Sequence, residues 1–188
     1  MAEKEKIIKA CKKGKRGAFT KLYNMYANKM LGVCMRYAKS LEEAEDILQE
    51  GFIKVFQKID TYAFQGSFDG WIRRVMVNTA INHYNANKKY YENELYASDS
   101  NEEGDRTEFR EDDKNEIQIP PQVLMSMIQQ LPEGYKMVFN LYVFEGMTHM
   151  EIASFLGISE STSKTQLLKA RKKLKKTIEE KYGINTKA

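Results

Sequence analysis

The chain has 188 residues, of which 42% are hydrophobic and 30% charged, a balance typical of a soluble globular protein with enough apolar material for a core. It contains no run of about 18 apolar residues, which argues against a membrane span, and its two cysteines are too few for a disulfide scaffold. The charged N-terminus, "MAEKEKIIKACKKGKRG", lacks the apolar core of a signal peptide, so we expect a cytoplasmic protein.

The net charge of +4 is unevenly distributed. Residues 1–91 carry 17 Lys/Arg against 9 Asp/Glu, residues 92–116 carry 3 against 11, and residues 117–188 carry 10 against 6. Two basic blocks are therefore joined by a strongly acidic segment, and basic blocks attract acidic partners such as nucleic acid.

Helical spacing of apolar residues runs through the N-terminal block, whereas the alternation typical of strands is scarce. The pattern predicts a short helix before Gly14 and three longer ones that share a core. A capping box of Ser40 with Glu43 begins the second long helix, and Gly66 with Ser67 interrupts the chain before the third. The predicted core residues of the three long helices are Phe19, Leu22, Tyr23, Tyr26, Met30, Val33, Cys34 and Tyr37; Ala44, Ile47, Leu48, Phe52, Val55 and Ile59; and Trp71, Ile72, Val75, Met76 and Thr79.

The acidic segment is poor in apolar residues and cannot bury enough surface to offset the entropy lost on ordering, which favours a flexible linker. Pro120 and Pro121 end it and begin a new helix. We therefore expect an all-α protein with two small helical domains, residues 1–91 and 120–188, joined by a flexible acidic linker at 92–119.

The stretch "THMEIASFLGISESTSKTQLLKARKKL" has the form of a helix-turn-helix. Small Ala153 permits a close helix crossing, and Gly157 supplies the left-handed conformation needed to leave the first helix. Ser159 is placed to cap the second helix. At 100° per residue, the inward side of that helix consists of Ser163, Leu167, Ala170, Leu174 and Ile178.

The outward side of the same helix is small and polar at its start and cationic further along. Helices that enter the major groove have this arrangement, because early residues reach base edges and later cations contact phosphates. The alternative is a solvated lysine-rich surface. The outward residues are Thr162, Thr165, Lys169, Lys172 and Lys176, flanked by Ser161, Gln166, Leu168 and Lys173.

Two further surfaces are predicted in the N-terminal block. The helix "LEEAEDILQEGFIKVFQKI" places apolar Ile53 among exposed Asp46, Gln49, Glu50 and Gln57, as expected for a docking surface or, alternatively, a solvated face.

The next helix is unusually rich in asparagine, a mediocre helix former. It combines asparagine with cations and aromatics that suit single-stranded nucleic acid; a merely polar helix is the alternative. Its residues of this kind are Arg73, Arg74, Asn78, Asn82, Tyr84, Asn85, Asn87, Lys88, Lys89, Tyr90 and Tyr91.

Together these residues resemble an extracytoplasmic-function sigma factor, the smallest class of bacterial RNA polymerase sigma subunits. "AEDILQEGFIKVFQKI" is similar to the second-domain helix of that family, and "FDGWIRRVMVNTAINHY" is similar to its promoter-reading stretch. "LPEGYKMVFNLYVFEGMTHMEIASFLGISESTSKTQLLKARKKL" resembles its fourth domain. The resemblance covers nearly the whole chain and implies a transcription initiation factor that binds core polymerase, recognises the −10 and −35 promoter elements and promotes DNA opening.

The resemblance also implies roles for individual residues. Those that would contact the β′ clamp helices of the polymerase are Asp46, Gln49, Glu50 and Ile53. Those at the −10 element would be Ala63, Phe64 and Gln65 of the family's specificity loop together with Arg74, Asn78, Asn82 and Lys88. Those at the −35 element would be Thr162, Lys164, Thr165, Gln166, Leu168, Lys169 and Lys172.

The expected partners are core polymerase, through its β′ clamp helices and β flap, promoter DNA, and an anti-sigma protein as a further candidate. No metal, cofactor or catalytic residue is expected. Two departures from the family stand out: Ser163 replaces a common valine, and Gln166 replaces a common arginine and is better suited to adenine than to guanine.

Two other functions fit parts of the sequence. A stand-alone helix-turn-helix regulator would explain the C-terminal block but not the acidic and asparagine-rich helices. An enzyme with an appended DNA-binding domain is disfavoured because the N-terminal block has His83 as its single histidine and no paired acids in a predicted pocket.

Overall fold

Every regular element in the computed structural model, which describes residues 2–88 and 119–183, is helical. The all-α prediction is therefore confirmed for the described part of the chain. The chain folds into two compact units, Met1–Ala86 and Asn87–Ala188. Apart from Ile119, the predicted linker at 92–119 lies outside the described residues, as do Lys89, Tyr90 and Tyr91.

The first unit contains four α-helices and one 3-10 turn. The helices are α1 (Ala2–Lys12), α2 (Arg16–Cys34), α3 (Leu41–Lys58) and α4 (Phe68–Ala86), and the turn spans Ile59–Thr61. The short helix predicted before Gly14 is confirmed as α1.

The predicted cap of α3 is present, with one difference. The Ser40 hydroxyl accepts a hydrogen bond from the Glu43 amide at 3.2 Å. The Glu43 carboxylate accepts from the amide of Lys39 rather than from that of Ser40. The start of α3 is thus fixed by two side chains, so the register of its exposed face is also fixed.

The core of the first unit is apolar and tightly packed between α3 and α4. All six core residues predicted for α3 and its end are buried, as are Ile72, Met76 and Thr79, whereas Trp71 and Val75 are only half-buried. A Cβ atom added to Gly51 would lie 2.2 Å from the Met76 sulfur. Glycine at position 51 therefore leaves room for the Met76 side chain where these two helices cross.

Both cysteines lie in the core of the first unit, as predicted for Cys34. Cys11 and Cys34 are free and buried. Burial raises the pKa of both thiols, that of Cys34 to about 12, so neither is a reactive thiolate at neutral pH.

The second unit contains α5 (Pro121–Gln129), α6 (Glu133–Val143), α7 (His149–Leu156) and α8 (Glu160–Tyr182). Pro121 occupies the first turn of α5, as predicted. Gly157 ends α7 with φ 61°, and the Ser159 hydroxyl accepts from the Thr162 amide at 2.9 Å. The predicted helix-turn-helix is therefore confirmed in its turn and its cap.

The core of the second unit contains polar groups as well as apolar ones. Ser163, Leu167, Ala170 and Leu174 of α8 are buried as predicted, and Ile178 is half-buried. Lys136 and Glu133 of α6 form an ion pair at 2.6 Å whose side chains are 0% and 6% exposed. Charges so deeply buried are retained only when they are paired.

Within residues 2–88 and 119–183, no helix combines the length and apolar character needed to cross a lipid bilayer.

Candidate nucleic-acid interface

A row of exposed side chains follows one face of α3. It consists of Asp46, Gln49, Glu50 and Ile53, and we refer to it as the acidic stripe. All four residues are exposed, and apolar Ile53 retains 56% of its accessible surface. The opposite face of α3 is buried, so the stripe is fixed in direction by core packing. An exposed aliphatic residue between acids is typical of a surface that docks a basic partner.

The start of α4 is anchored by Asp69. Its carboxylate accepts a hydrogen bond from the Tyr26 hydroxyl at 3.0 Å and pairs with the Lys29 ammonium at 2.7 Å. These two partners, Lys29 foremost, lower the pKa of Asp69 despite partial burial. A carboxylate in the first turn is also favoured by the helix dipole. The direction of α4 is therefore set at its N-terminus as well as by its buried face.

A second exposed row, Arg74, Asn78 and Asn82, follows α4 at four-residue intervals. We refer to it as the asparagine stripe. All three residues are exposed, and their side chains form no hydrogen bond or ion pair with the described part of the chain. Amide and guanidinium groups without internal partners are free to bond to bases and phosphates.

Two residues assigned to this helix region lie elsewhere. Tyr84 was expected among nucleic-acid contacts, but its ring is buried in the core of the first unit. The expectation is wrong because Tyr84 lies on the same face of α4 as Ala80 and Ile81. Lys88 belongs to the second unit, where its ammonium donates to the main-chain oxygens of Leu156 and Gly157 at 3.1 and 3.0 Å.

The loop between the 3-10 turn and α4 has a defined conformation. Ala63, Phe64 and Gln65 are exposed, and Phe64 adopts a left-handed φ of 57°. The Tyr62 hydroxyl donates to the Gly66 carbonyl at 3.0 Å and closes the loop. The Ser67 hydroxyl then accepts from the Gly70 amide and begins α4. The residues of the predicted specificity loop are thus brought together and held at the N-terminus of the helix that carries the asparagine stripe.

The exposed face of α8 contains some of the residues predicted for it, whereas others are half-buried. Lys164, Thr165, Leu168 and Lys172 are exposed, as expected for groove contact. Lys164 is paired with Glu160 at 2.6 Å across one helical turn.

Three other residues predicted for this face are half-buried: Thr162, Gln166 and Lys169. The Lys169 ammonium lies 5.9 Å from the ring centre of Tyr135, which the core holds. The Gln166 side-chain oxygen is buried and accepts no hydrogen bond from the described residues. Lys169 therefore lies beside α6, and the most accessible face of α8 is centred on Thr165, Leu168 and Lys172.

Ser163, one of the two residues that depart from the family pattern, has a polar partner. The Ser163 hydroxyl shares a 2.9 Å hydrogen bond with Nδ1 of His149 on α7. The His149 ring stacks on Tyr142, with centroids 4.8 Å apart, and Arg171 lies over the same Tyr142 ring at 5.7 Å. The two helices of the helix-turn-helix are therefore joined by a partly buried polar contact where a valine would give only apolar packing.

The charge state of His149 follows from these surroundings. Burial lowers the pKa of His149 below its ordinary value of 6.5. The positive charges of Lys164 and Arg171 lower it further, and Glu160 opposes them. The ring is therefore neutral at pH 7.

Sequence reasoning missed three polar contacts that shape these surfaces. They are the buried Lys136–Glu133 pair within α6, the His149–Ser163 bond, and the bonds from Lys12 of α1 to the main chain at Asp60 and Tyr62. The Glu133 and Lys136 spacing of three was visible, but it is typical of solvated helix surfaces. Lys12 is separated from its partners by 48 and 50 residues, and no local pattern indicates such a contact.

Comparison with known proteins gives consistent matches along the chain. The family model of Sigma-70 region 2 matches residues 22–90, and that of Sigma-70 region 4 matches residues 122–174. The ECF RNA polymerase sigma factor SigW of Bacillus subtilis is 30% identical over 183 residues, which cover 93% of this chain and 96% of that protein. The RNA polymerase sigma-H factor of Pseudomonas aeruginosa is 27% identical over 186 residues, 93% of each chain.

One solved structure supports the fold. The sigma factor RpoE, co-crystallised with the anti-sigma factor NepR from Bartonella quintana, is similar with a TM-score of 0.50 at 15% identity. The match covers 86% of this chain and 96% of the solved one.

Proposed function

This chain belongs to the ECF sigma factors, transcription initiation factors that recognise promoters and bind RNA polymerase, and from that membership we propose a role for each surface described above. The proposed domains are residues 1–91 for polymerase docking and −10 recognition, and residues 120–188 for −35 recognition, with residues 92–119 as the linker. The observation that carries the proposal is the asparagine stripe, whose amide and guanidinium groups are exposed on α4 and have no partner among the described residues.

The acidic stripe on α3 docks on the β′ clamp helices of the polymerase. Its support is the exposure of Ile53 between Asp46, Gln49 and Glu50. The carboxylates would steer a basic partner, and the aliphatic side chain would be desolvated at the centre of the contact. Glu50 is paired with Lys54 at 2.6 Å on the surface, a contact weak enough to be exchanged for an intermolecular one.

The loop and the asparagine stripe together capture an unstacked base of the −10 element. Opening the duplex costs a few kcal/mol per unstacked base, and contacts to the extruded base offset that cost. Ala63, Phe64 and Gln65 would surround the base, Asn78 and Asn82 would bond to its edge, and Arg74 would contact the backbone. Lys88 would contact a phosphate after leaving the carbonyls it now bonds.

The exposed face of α8 enters the major groove of the −35 element. Thr165 and Leu168 lie at its centre and would reach base edges, while Lys164 and Lys172 contact phosphates. Thr162, Gln166 and Lys169 flank this face, and the buried oxygen of Gln166 has to turn outward before it can bond to a base. The same domain is the proposed ligand of the β flap.

The protein acts by binding, without catalysing a reaction of its own and without a metal or cofactor, and it works in the cytoplasm with the polymerase. An anti-sigma protein is a further proposed partner, because the solved relative RpoE was crystallised with the anti-sigma factor NepR.

A gel-shift experiment with and without core enzyme tests the proposed mode of action. We expect specific promoter binding only when core enzyme is present, because polymerase docking is proposed to precede promoter recognition. Tight, specific duplex binding by the isolated chain would instead identify a stand-alone helix-turn-helix regulator.

Two substitutions then separate the surfaces of the first unit. Asp46→Arg should weaken binding to core enzyme in a pull-down, whereas Glu3→Arg, an equal charge change at an exposed residue of α1, should not. Asn78→Ala should reduce promoter opening in permanganate footprints by about 10-fold or more, with core binding unchanged. The exposed Asn28→Ala on α2 is its control, and footprints of Asn78→Ala equal to wild type would reject the base-capture role.

A further inference from the structure

Helix α1 is joined to the specificity loop through Lys12. The Lys12 ammonium donates to the main-chain oxygens of Asp60 at 3.1 Å and Tyr62 at 2.5 Å. It also lies 5.1 Å from the centre of the Phe64 ring. Carbonyl oxygens at the end of a helical turn lack internal partners, and a lysine side chain is a suitable donor to them. Lys12 therefore fixes both the end of the 3-10 turn and the first residues of the loop.

The loop needs such support because its backbone is strained. Phe64 is the one non-glycine residue with positive φ among those described. This conformation is unfavourable for an L residue that carries a side chain. Such conformations persist where surrounding contacts over-determine them. The Phe64 ring packs against Tyr62 at 5.0 Å, and the ammonium groups of Lys12 and Lys9 lie over it at 5.1 and 5.6 Å.

The ammonium of Lys12 is hydrogen-bonded within the protein and is not positioned to contact DNA. Lys12 is half-buried, whereas the next residue, Lys13, is exposed at the end of the same helix. Removing either side chain subtracts one positive charge from this end of the helix. Of these two lysines, Lys12 contacts the loop and Lys13 does not, so the pair separates a local structural effect from a general loss of charge.

We propose that Lys12 is a positioning residue for −10 recognition, which holds the 62–67 loop in the conformation that presents Ala63, Phe64 and Gln65 to the extruded base. The inference rests on the proposed role of that loop. It adds that base preference at this position depends on a residue of α1 that does not itself contact DNA.

The structural half of the proposal is tested in the free full-length chain. Lys12→Met keeps most of the aliphatic stem and removes the ammonium, and Lys12→Gln is a second variant should the first fail to fold. We expect chymotrypsin to cleave after Phe64 severalfold faster in both variants, as read by mass spectrometry, with Lys13→Met and Lys12→Arg close to wild type. Trp71 is the chain's one tryptophan, and its ring centre lies 5.7 Å from that of Tyr62. Its fluorescence should change in parallel with the cleavage rate.

The functional half is tested by transcription with core enzyme on promoters that differ in a single base of the −10 element. Lys12→Met should bring the ratio of transcription from preferred and non-preferred templates close to one, while core binding stays unchanged. Lys13→Met should lower transcription from all templates alike or not at all, and Lys12→Arg should restore the ratio.

Gln65→Ala distinguishes failure of this inference from failure of the proposed function. If Gln65→Ala changes the base ratio and Lys12→Met changes neither the ratio nor the cleavage after Phe64, the role of Lys12 is overturned and the loop remains the reader. If neither variant changes the ratio, the loop does not read the base and both proposals fall.

Discussion

The two helices proposed to contact DNA pack against cores of different composition. Helix α4 packs on an apolar core through a close crossing at Gly51 and Met76, and its asparagine stripe has no internal partners among the described residues. Helix α8 rests on a core that contains the Lys136–Glu133 pair and the His149–Ser163 bond. Some of its outward side chains also have protein partners. The core beneath α4 is therefore sensitive to packing volume, whereas the core beneath α8 is also sensitive to buried charge and hydrogen bonding.

The largest expected effect comes from breaking the buried ion pair. Lys136→Ala leaves the Glu133 carboxylate buried without its cation, and we expect a loss of about 3–5 kcal/mol in the stability of the second unit. Hydrogen exchange of α6 amides in the full-length chain measures it.

The control for this substitution is Lys164→Ala, which removes an exposed pair of the same 2.6 Å length and should change little. The double variant Glu133→Leu with Lys136→Met should recover most of the stability. A small loss in Lys136→Ala would show that the second unit does not depend on this pair.

The matching test of the first unit is Gly51→Ala. The added methyl group meets the Met76 sulfur inside a packed core, and overpacking of this kind costs about 1–3 kcal/mol. Hydrogen exchange of α4 amides should show the loss at every salt concentration. Gly17→Ala on α2, where an added Cβ meets no atom within 4 Å, should instead be neutral or stabilising. A neutral Gly51→Ala would mean that the crossing is looser than described.

Acid should weaken the second unit through His149. Its folded-state pKa lies below 6.5, so between that lowered pKa and about 6.5 the folded protein binds fewer protons than the unfolded one. Stability therefore falls as the pH drops from about 6.5 and levels off below the lowered pKa. Hydrogen exchange of the α7 and α8 amides, corrected for intrinsic exchange rates, measures this change in the stability of the second unit.

His149→Gln should flatten this pH profile, whereas His83→Gln in the first unit should leave it unaltered. A profile that persists in His149→Gln would assign the effect to another group.

The smallest expected effect separates two lysines of α8. Lys172→Ala should reduce the salt dependence of promoter binding by about one unit of slope, since it removes one phosphate contact. Lys169→Ala should reduce it less, because the Lys169 ammonium lies over the Tyr135 ring. Binding of the holoenzyme over a range of salt concentrations measures both slopes. Equal reductions would show that Lys169 leaves Tyr135 when DNA binds.

Much of this architecture could be predicted from the sequence because local rules determine it. Apolar spacing predicted the helices and most core residues, and Ser40, Gly157 and Ser159 marked helix ends through caps and a left-handed turn. The exposed positions of Asp46 and Asn78 follow from the same spacing.

What could not be predicted depends on contacts between distant segments. Lys136 has the composition of a surface residue, and only the packing of α6 shows it to be buried. Tyr84 has the chemistry of a base-stacking residue but lies in the core. The partial burial of Lys169 results from the position of Tyr135 on α6, which helical periodicity within α8 does not encode.

The close crossing at Gly51 has a consequence for the entropy of promoter opening. Since the Met76 side chain of α4 packs directly against Gly51 of α3, the acidic stripe and the asparagine stripe belong to one compact unit. Docking of α3 would then fix the orientation of α4 without a further loss of rotational freedom. A hinge between the two helices would require that freedom to be lost again when the base is extruded.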